Sequence, residues 1–149
     1  MNHLTVGQRA PLSNLAIDDT APITLKFTRQ SPIEMDISCF ALDAAGKLIN
    51  DDYMVFYNQP TSPCGQIKLT HYESQPTASK GIQAEFEVNL SKLAANIDSL
   101  FFCVVSWHAA ESNSIIRDWH FAAVTKGTGR ISSSRLCPAA SQYANVAVS

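Results

Sequence analysis

The chain has 149 residues, 46% of them hydrophobic and 16% charged, which suits one soluble domain with a single core and leaves no room for two. Its formal net charge of −2, with no Lys/Arg-rich block, argues against nucleic acid as a partner, because that role calls for a basic face. The N-terminus lacks a basic segment followed by an apolar run of signal-peptide length, and the longest apolar stretch, Leu100 to Val105, is far too short to span a bilayer. A cytoplasmic chain with no direct membrane insertion is expected.

Strand patterns are short and breakers frequent, with no long amphipathic helix and no internal repeat. That combination predicts an all-β fold, an antiparallel β-sandwich, since βαβ units need a crossover of roughly ten residues or more. Ile23, Leu25 and Phe27 alternate with Thr24, Lys26 and Thr28, giving a strand with one apolar face. Met35, Ile37, Cys39 and Ala41 then alternate with Asp36, Ser38, Phe40 and Leu42 in the same way. A tight turn follows at Asp43 to Lys47. Asn50, Asp51 and Asp52 supply side-chain oxygens just before Tyr53, Met54, Val55, Phe56 and Tyr57, whose bulk and β-branching predict a further strand.

Pro60 to Gly65 reads as a turn, and Ile67 and Leu69 mark a short strand after it. Ala84, Phe86, Val88 and Leu90 alternate with Gln83, Glu85, Glu87 and Asn89, so this strand should bury one face and wet an acidic one. Glu85 and Glu87, about 7 Å apart along that face, belong to the wet side rather than to a catalytic pair. Ser91 to Asp98 reads as a helical turn. Leu100 to Val105 is apolar on both faces, as a central strand covered on both sides would be, and Trp119 to Val124 has the composition of a strand. From Arg130 onward the chain is rich in Ser and Ala with little large apolar content. The expectation is a domain over 1–129 and a weakly ordered tail over 130–149.

Cys39, Cys64, Cys103 and Cys137 are scattered, with no CxxC pair and no Cys/His spacing of the zinc-finger kind, so reduced thiols are expected and a zinc site is not. Cys39 and Cys103 sit in apolar strands as small hydrophobes. Cys64 lies in the Pro/Gly turn, with no Arg or His adjoining it to lower its pKa and Lys68 its nearest cation in sequence. His71, His108 and His120 could in principle serve a nucleophile or a carboxylate. No nucleophile elbow, phosphate-binding glycine loop or HExxH phrase accompanies them, so a non-catalytic protein is expected ahead of a thiol- or histidine-dependent enzyme.

Met35 to Gly65, an acidic strand, a short turn and an Asp-rich lead into Val55-Phe56-Tyr57-Asn58, resembles the TerD-domain family of tellurium-resistance and stress proteins. Leu4-Thr5-Val6-Gly7-Gln8-Arg9-Ala10-Pro11-Leu12 is similar to the family's opening phrase, and Phe86-Glu87-Val88-Asn89-Leu90-Ser91-Lys92-Leu93 to its later strand and turn. The likeness runs to about Val105. Ser106 to Ser149 matches the family's aromatic, glycine-containing ending poorly, so a truncated or frameshifted member with an unpaired sheet edge is one expectation. The missing glycine- and aspartate-rich loop points to the TerA-type branch.

The resemblance implies a TerD-like sandwich and a cytoplasmic role beside other tellurium-resistance proteins, including a membrane complex, in responses to tellurite or other stress. It also implies Ca2+, held by six to eight oxygens, with Glu34, Asp36, Asp51, Asp52, Asn58 and Glu73 as the positions that map onto the family's acidic sites. A cation there would tie the first acidic strand to the turn before Tyr53. Where the family has a run of acids, this chain reads His71-Tyr72-Glu73-Ser74-Gln75-Pro76-Thr77-Ala78-Ser79-Lys80-Gly81. With Glu73 the only carboxylate in that run, affinity should fall to roughly 10⁻⁴ M or weaker. The plain alternatives are acids that solvate a turn by bonding their own backbone, and a metal-independent interaction scaffold.

Overall fold

The computed structural model describes residues 2–4, 8–18, 20–29, 34–73, 81–109, 115–126, 129–135 and 144–148. For 2–4, 29, 34, 35, 81, 82, 105–109, 115–122, 132–135 and 144–148 it describes the backbone alone. These residues form strands β1 (Asn2–Leu4), β2 (Arg9–Pro11), β3 (Ile23–Arg29), β4 (Glu34–Leu42), β5 (Met54–Val55), β6 (Ile67–Tyr72), β7 (Gly81–Val88), β8 (Ser99–Ala109), β9 (Ile115–Thr125), β10 (Arg130–Arg135) and β11 (Ala144–Val148). They make two sheets, ordered β1-β11-β3-β7-β6 and β2-β10-β9-β8-β4-β5. Every pairing between these strands is antiparallel, so the chain is the all-β sandwich its alternation predicts.

The apolar faces meet between the sheets. Ile23, Leu25 and Phe27 of β3, Ile37, Cys39 and Ala41 of β4, and Ala84, Phe86 and Val88 of β7 are buried, as their alternation requires. Leu100, Phe102 and Val104 of β8 join them from the centre of the six-stranded sheet. The far face of β8 is covered less completely, with Cys103 at the edge of burial and Phe101 half-buried. Phe27, Phe86 and Phe102 form an aromatic knot across the two layers, with centroids 5.1 to 6.0 Å apart. Such pairs add about 0.5–1.5 kcal/mol each beyond simple burial.

The stretch expected as a weakly ordered tail instead supplies one strand to each sheet. β10 lies between β2 and β9, and β11 between β1 and β3. Low hydrophobicity misleads here because a strand paired on both sides satisfies its backbone through its neighbours and needs few large side chains. Ile131 provides the anchor, 1% exposed between Val124 and Ala10, while Val146 and Val148 take register positions opposite Phe27 and Leu25.

Two irregularities shape the rim near β6. The register of β7 against β3 shifts so that Phe27 faces Ala84 and Thr28 faces Ile82, leaving Gln83 as the extra residue of a bulge. Gln83, expected on the wet face, is fully buried. Its amide donates to the Glu73 carbonyl, and its own carbonyl accepts from Glu73 N–H at 2.9 Å. A second shift between Leu69 and His71 leaves Thr70 unpaired in register. That extra residue reverses the alternation, so Tyr72 rather than His71 shares the face of Ile67 and Leu69.

The strand expected over Tyr53 to Tyr57 shortens to the two residues of β5. Asn50 caps a 3-10 turn over Asp51–Tyr53 by accepting from Asp52 N–H at 2.9 Å, which takes Tyr53 out of the ladder. Phe56 and Gln59 exchange backbone bonds of 3.1 and 2.9 Å, which makes Tyr57 and Asn58 the tip of a tight hairpin. The helical turn expected within Ser91 to Asp98 is a short 3-10 turn over Leu90–Lys92. At Asp43 to Lys47 the expected turn closes with Asp43 N–H on the Lys47 carbonyl at 2.8 Å, and Gly46 supplies the positive φ of 77° it needs.

Candidate functional site

At the rim where β5 gives way to β6 the chain crosses from one sheet to the other, and aromatic side chains gather there. Tyr57, at the hairpin tip, is 59% exposed, the one large exposed hydrophobic side chain among the described residues. Its ring stacks on Tyr72 at 5.5 Å and 21°, and meets Phe56 edge-on at 5.6 Å. The Tyr72 hydroxyl donates to the Asp36 carboxylate at 3.4 Å, joining β6 of one sheet to β4 of the other. The bulge at Thr70 is the device that turns Tyr72 toward this contact. Gln59 braces the hairpin by donating through its amide to the Met54 carbonyl at 2.7 Å and the Asp51 carbonyl at 3.0 Å. The arrangement is a fixed, half-wet aromatic surface beside a carboxylate, suited to recognition by contact.

The six residues expected to hold calcium fall at two ends of β4. Asp36 stands at one end, with Asn58 exposed next to Tyr57 and Glu73 next to Tyr72. Glu34 lies on the same strand opposite Trp107, and its side chain is outside the described residues. Asp51 and Asp52, both exposed, sit at the other end, where Ile49 bonds the Ala41 carbonyl and Met54 pairs with Phe40. Phe40 is already about 13 Å along the strand from Asp36, whereas ligands of one calcium ion lie roughly 2.3–2.6 Å from it. The expected tie between the first acidic strand and the turn before Tyr53 is therefore not what the geometry forms. Among the described residues no three carboxylate, histidine or cysteine side chains gather to hold a metal ion.

The Cys64 turn departs from its expectation. Ser62 is buried, its hydroxyl lies 3.4 Å from the Cys64 sulfur, and it accepts from Ile67 N–H at 3.2 Å. Burial pushes the Cys64 thiol up, but hydrogen bonds from Ser62 and from the Gln66 and Ala94 backbone outweigh it and leave the thiol below its ordinary value. Neutral donors do here what a missing Arg or His would otherwise do. Tyr53 is shifted the other way, by desolvation first and then by the neighbouring Cys64 sulfur. Cys39 and Cys103 are buried, as expected, and desolvation raises both thiols, Cys103 to about 11. Cys137 lies outside the described residues, as do the side chains of His108 and His120. His71 is exposed on β6.

Sequence reasoning passed over Tyr57, Tyr72 and Gln59 as site residues. A signal was present for the hairpin, since Asn58-Gln59-Pro60 is turn chemistry that cuts the strand short, but the bulge that reorients Tyr72 has no local signature. No helix among the described residues is long and apolar enough to cross a membrane.

A family model described as the TerD domain matches residues 2–133, well past Val105 where the likeness was expected to fade. The general stress protein 16U of Bacillus subtilis (strain 168) is 37% identical over 91 residues, which are 61% of this chain and 46% of that protein. The chain thus spans about half the length of this relative. Among solved structures it is similar to a homologue of telluride resistance protein (TerD) from Streptomyces coelicolor A3(2). That likeness has 15% identity and a TM-score of 0.48, over 78% of this chain and 69% of the other.

Proposed function

The chain belongs to the TerD domain family, and on that premise we propose that it is a non-catalytic cytoplasmic module of tellurite or general stress resistance that acts through contacts with other tellurium-resistance proteins. The observation that carries this reading is the Tyr57 surface. A tyrosine more than half exposed, held rigid by stacking on Tyr72 and by the Gln59 brace, offers large contact area at little entropic cost. The name of the Bacillus relative, a general stress protein, is consistent with the same physiological setting.

Calcium enters this proposal as a loose ligand. The separation of Asp51 and Asp52 from Asp36 leaves Asp36, Asn58 and Glu73, with Glu34 on the same strand, as the end where a cation would fall. Affinity there is roughly 10⁻⁴ M or weaker. The role is then structural, by mass action on the folded state, and the contact surface works without it.

The test is direct binding. Each TerD-domain protein of the source genome is purified and its affinity for the wild-type chain and for Tyr57→Ala measured with calcium and with chelator. The expected result is a specific pair whose affinity falls about tenfold or more in Tyr57→Ala and changes little with chelator. Equal affinity of wild type and variant for every partner would remove the surface from the account.

A further inference from the structure

At the opposite flank from Tyr57, two arginines distant in sequence share one cleft. β2 pairs with β10 so that Arg9 faces Ser132 and Pro11 faces Arg130, and β10 pairs with β9 so that Arg130 faces Thr125. Cross-strand partners project to the same side, and residues two apart on a strand do as well. Arg9, Arg130 and Thr125 therefore stand on one face of the sheet, the two arginines on the diagonal that long side chains bridge. The intervening residues Ala10, Ile131 and Val124 point the other way, with Ile131 and Val124 buried in the core. The three outward residues, with Ile131 beneath them, line a cleft of about 270 Å³.

Both arginines are exposed, and among the described residues neither guanidinium has an ion-pair or hydrogen-bond partner. The nearby Lys126 is turned away, its ammonium donating to the Leu93 and Ala94 carbonyls at 3.4 and 3.3 Å. In a chain of net charge −2, two guanidiniums in one small cleft with no acidic partner among the described residues are a local excess of positive charge, with up to ten N–H donors in planar forks.

We propose that Arg9, Arg130 and Thr125 form a binding site for a small tetrahedral oxyanion of the phosphate class. The cleft, at about 270 Å³, has room for an ion of this size, and its lining is dominated by cationic and hydroxyl donors rather than by the apolar side chains of an organic-ligand pocket. The forked geometry suits two oxygens per guanidinium, and the Thr125 hydroxyl can supply a third donor group. Anchoring the two arginines on paired strands limits what they lose on binding, which favours a saturable site over diffuse attraction.

Inorganic phosphate is the probe. The full chain is titrated and backbone amide shifts are followed by NMR at constant ionic strength, against a sodium chloride series. The expected result is saturable movement confined to β2, β10 and the end of β9. Arg9→Gln and Arg130→Gln should each weaken binding about tenfold, and the double variant should abolish it. Arg130→Lys, which keeps the charge and loses the fork, should bind more weakly than wild type. Both positions are exposed, so the phosphate-free unfolding midpoints should stay unchanged, which separates lost binding from lost folding. Phosphate shifts equal to those of chloride, or undiminished in the double variant, would overturn the proposal. Vesicles of phosphatidylcholine with and without phosphatidic acid distinguish a free phosphate from a lipid headgroup, and capture by vesicles alone would overturn the small-ion site as well.

Discussion

Two aromatic clusters in this molecule are built from nearly the same ring geometry and do opposite work. Phe27, Phe86 and Phe102 meet at 5.1 to 6.0 Å and are all fully buried between the sheets. Phe56, Tyr57 and Tyr72 meet at 5.5 to 5.6 Å on the rim, with Tyr57 59% exposed. The first cluster removes area from water and holds the layers together. The second ties the Tyr72 hydroxyl to Asp36 and leaves Tyr57 as a surface. Ring contact alone does not distinguish core from interface; burial and the polar handle of tyrosine do.

The comparison breaks most visibly when whole strands go. Deleting residues 130–149 removes β10 and β11, one from within each sheet. Circular dichroism and urea titration should then find no cooperative folded state. The next largest effect is Phe102→Ala, expected to cost about 3–5 kcal/mol in urea unfolding, whereas Tyr57→Ala, which loses two ring contacts at an exposed site, should cost about 1 kcal/mol or less. A large loss at Tyr57 would make the rim a second core and erase the contrast. Asn50→Ala removes the cap over Asp51–Tyr53 and should cost about 1 kcal/mol. Asp51→Asn with Asp52→Asn should leave any calcium-induced rise in unfolding midpoint as it is, because these residues lie at the wrong end of β4. The smallest effect is on Cys64. In a Cys137→Ser background its depressed pKa means more thiolate at neutral pH, so alkylation should plateau at lower pH than for a free cysteine. Ser62→Ala should move that plateau up, while fully buried Cys39 reacts only on unfolding and Cys103, its thiol raised to about 11, reacts far more slowly than Cys64 at neutral pH.

Much of the fold could be read from alternation. β3, β4 and β7 bury the residues that period two selects, and the sandwich follows from them, while β8, read as apolar on both faces, is central but covered less completely on its far side. Alternation failed where the register slipped: Gln83 is the extra residue of a bulge, and Thr70 flips Tyr72 inward, neither of which leaves a mark in composition. It failed again from Arg130 onward, where Ser- and Ala-rich strands draw their stability from neighbours on both sides. The site was less legible than the fold. Asp36 and Asp51 are close in sequence, but the antiparallel pairing of β4 with β5 sends them to opposite ends. Arg9 and Arg130 are far apart in sequence and only the β2–β10 register brings them together. Proximity along a chain is a poor guide to ligand sets in an antiparallel sandwich.

The central claim is that Tyr57 at the rim acts by contact rather than by holding the fold together. The most direct measurement is survival under tellurite of a strain deleted for the gene and complemented with wild type or Tyr57→Ala, at matched protein levels and with both proteins shown to be fully folded at the growth temperature. The account predicts that wild type restores survival and Tyr57→Ala does not. Full restoration by Tyr57→Ala would contradict it and move the functional surface elsewhere on the sandwich.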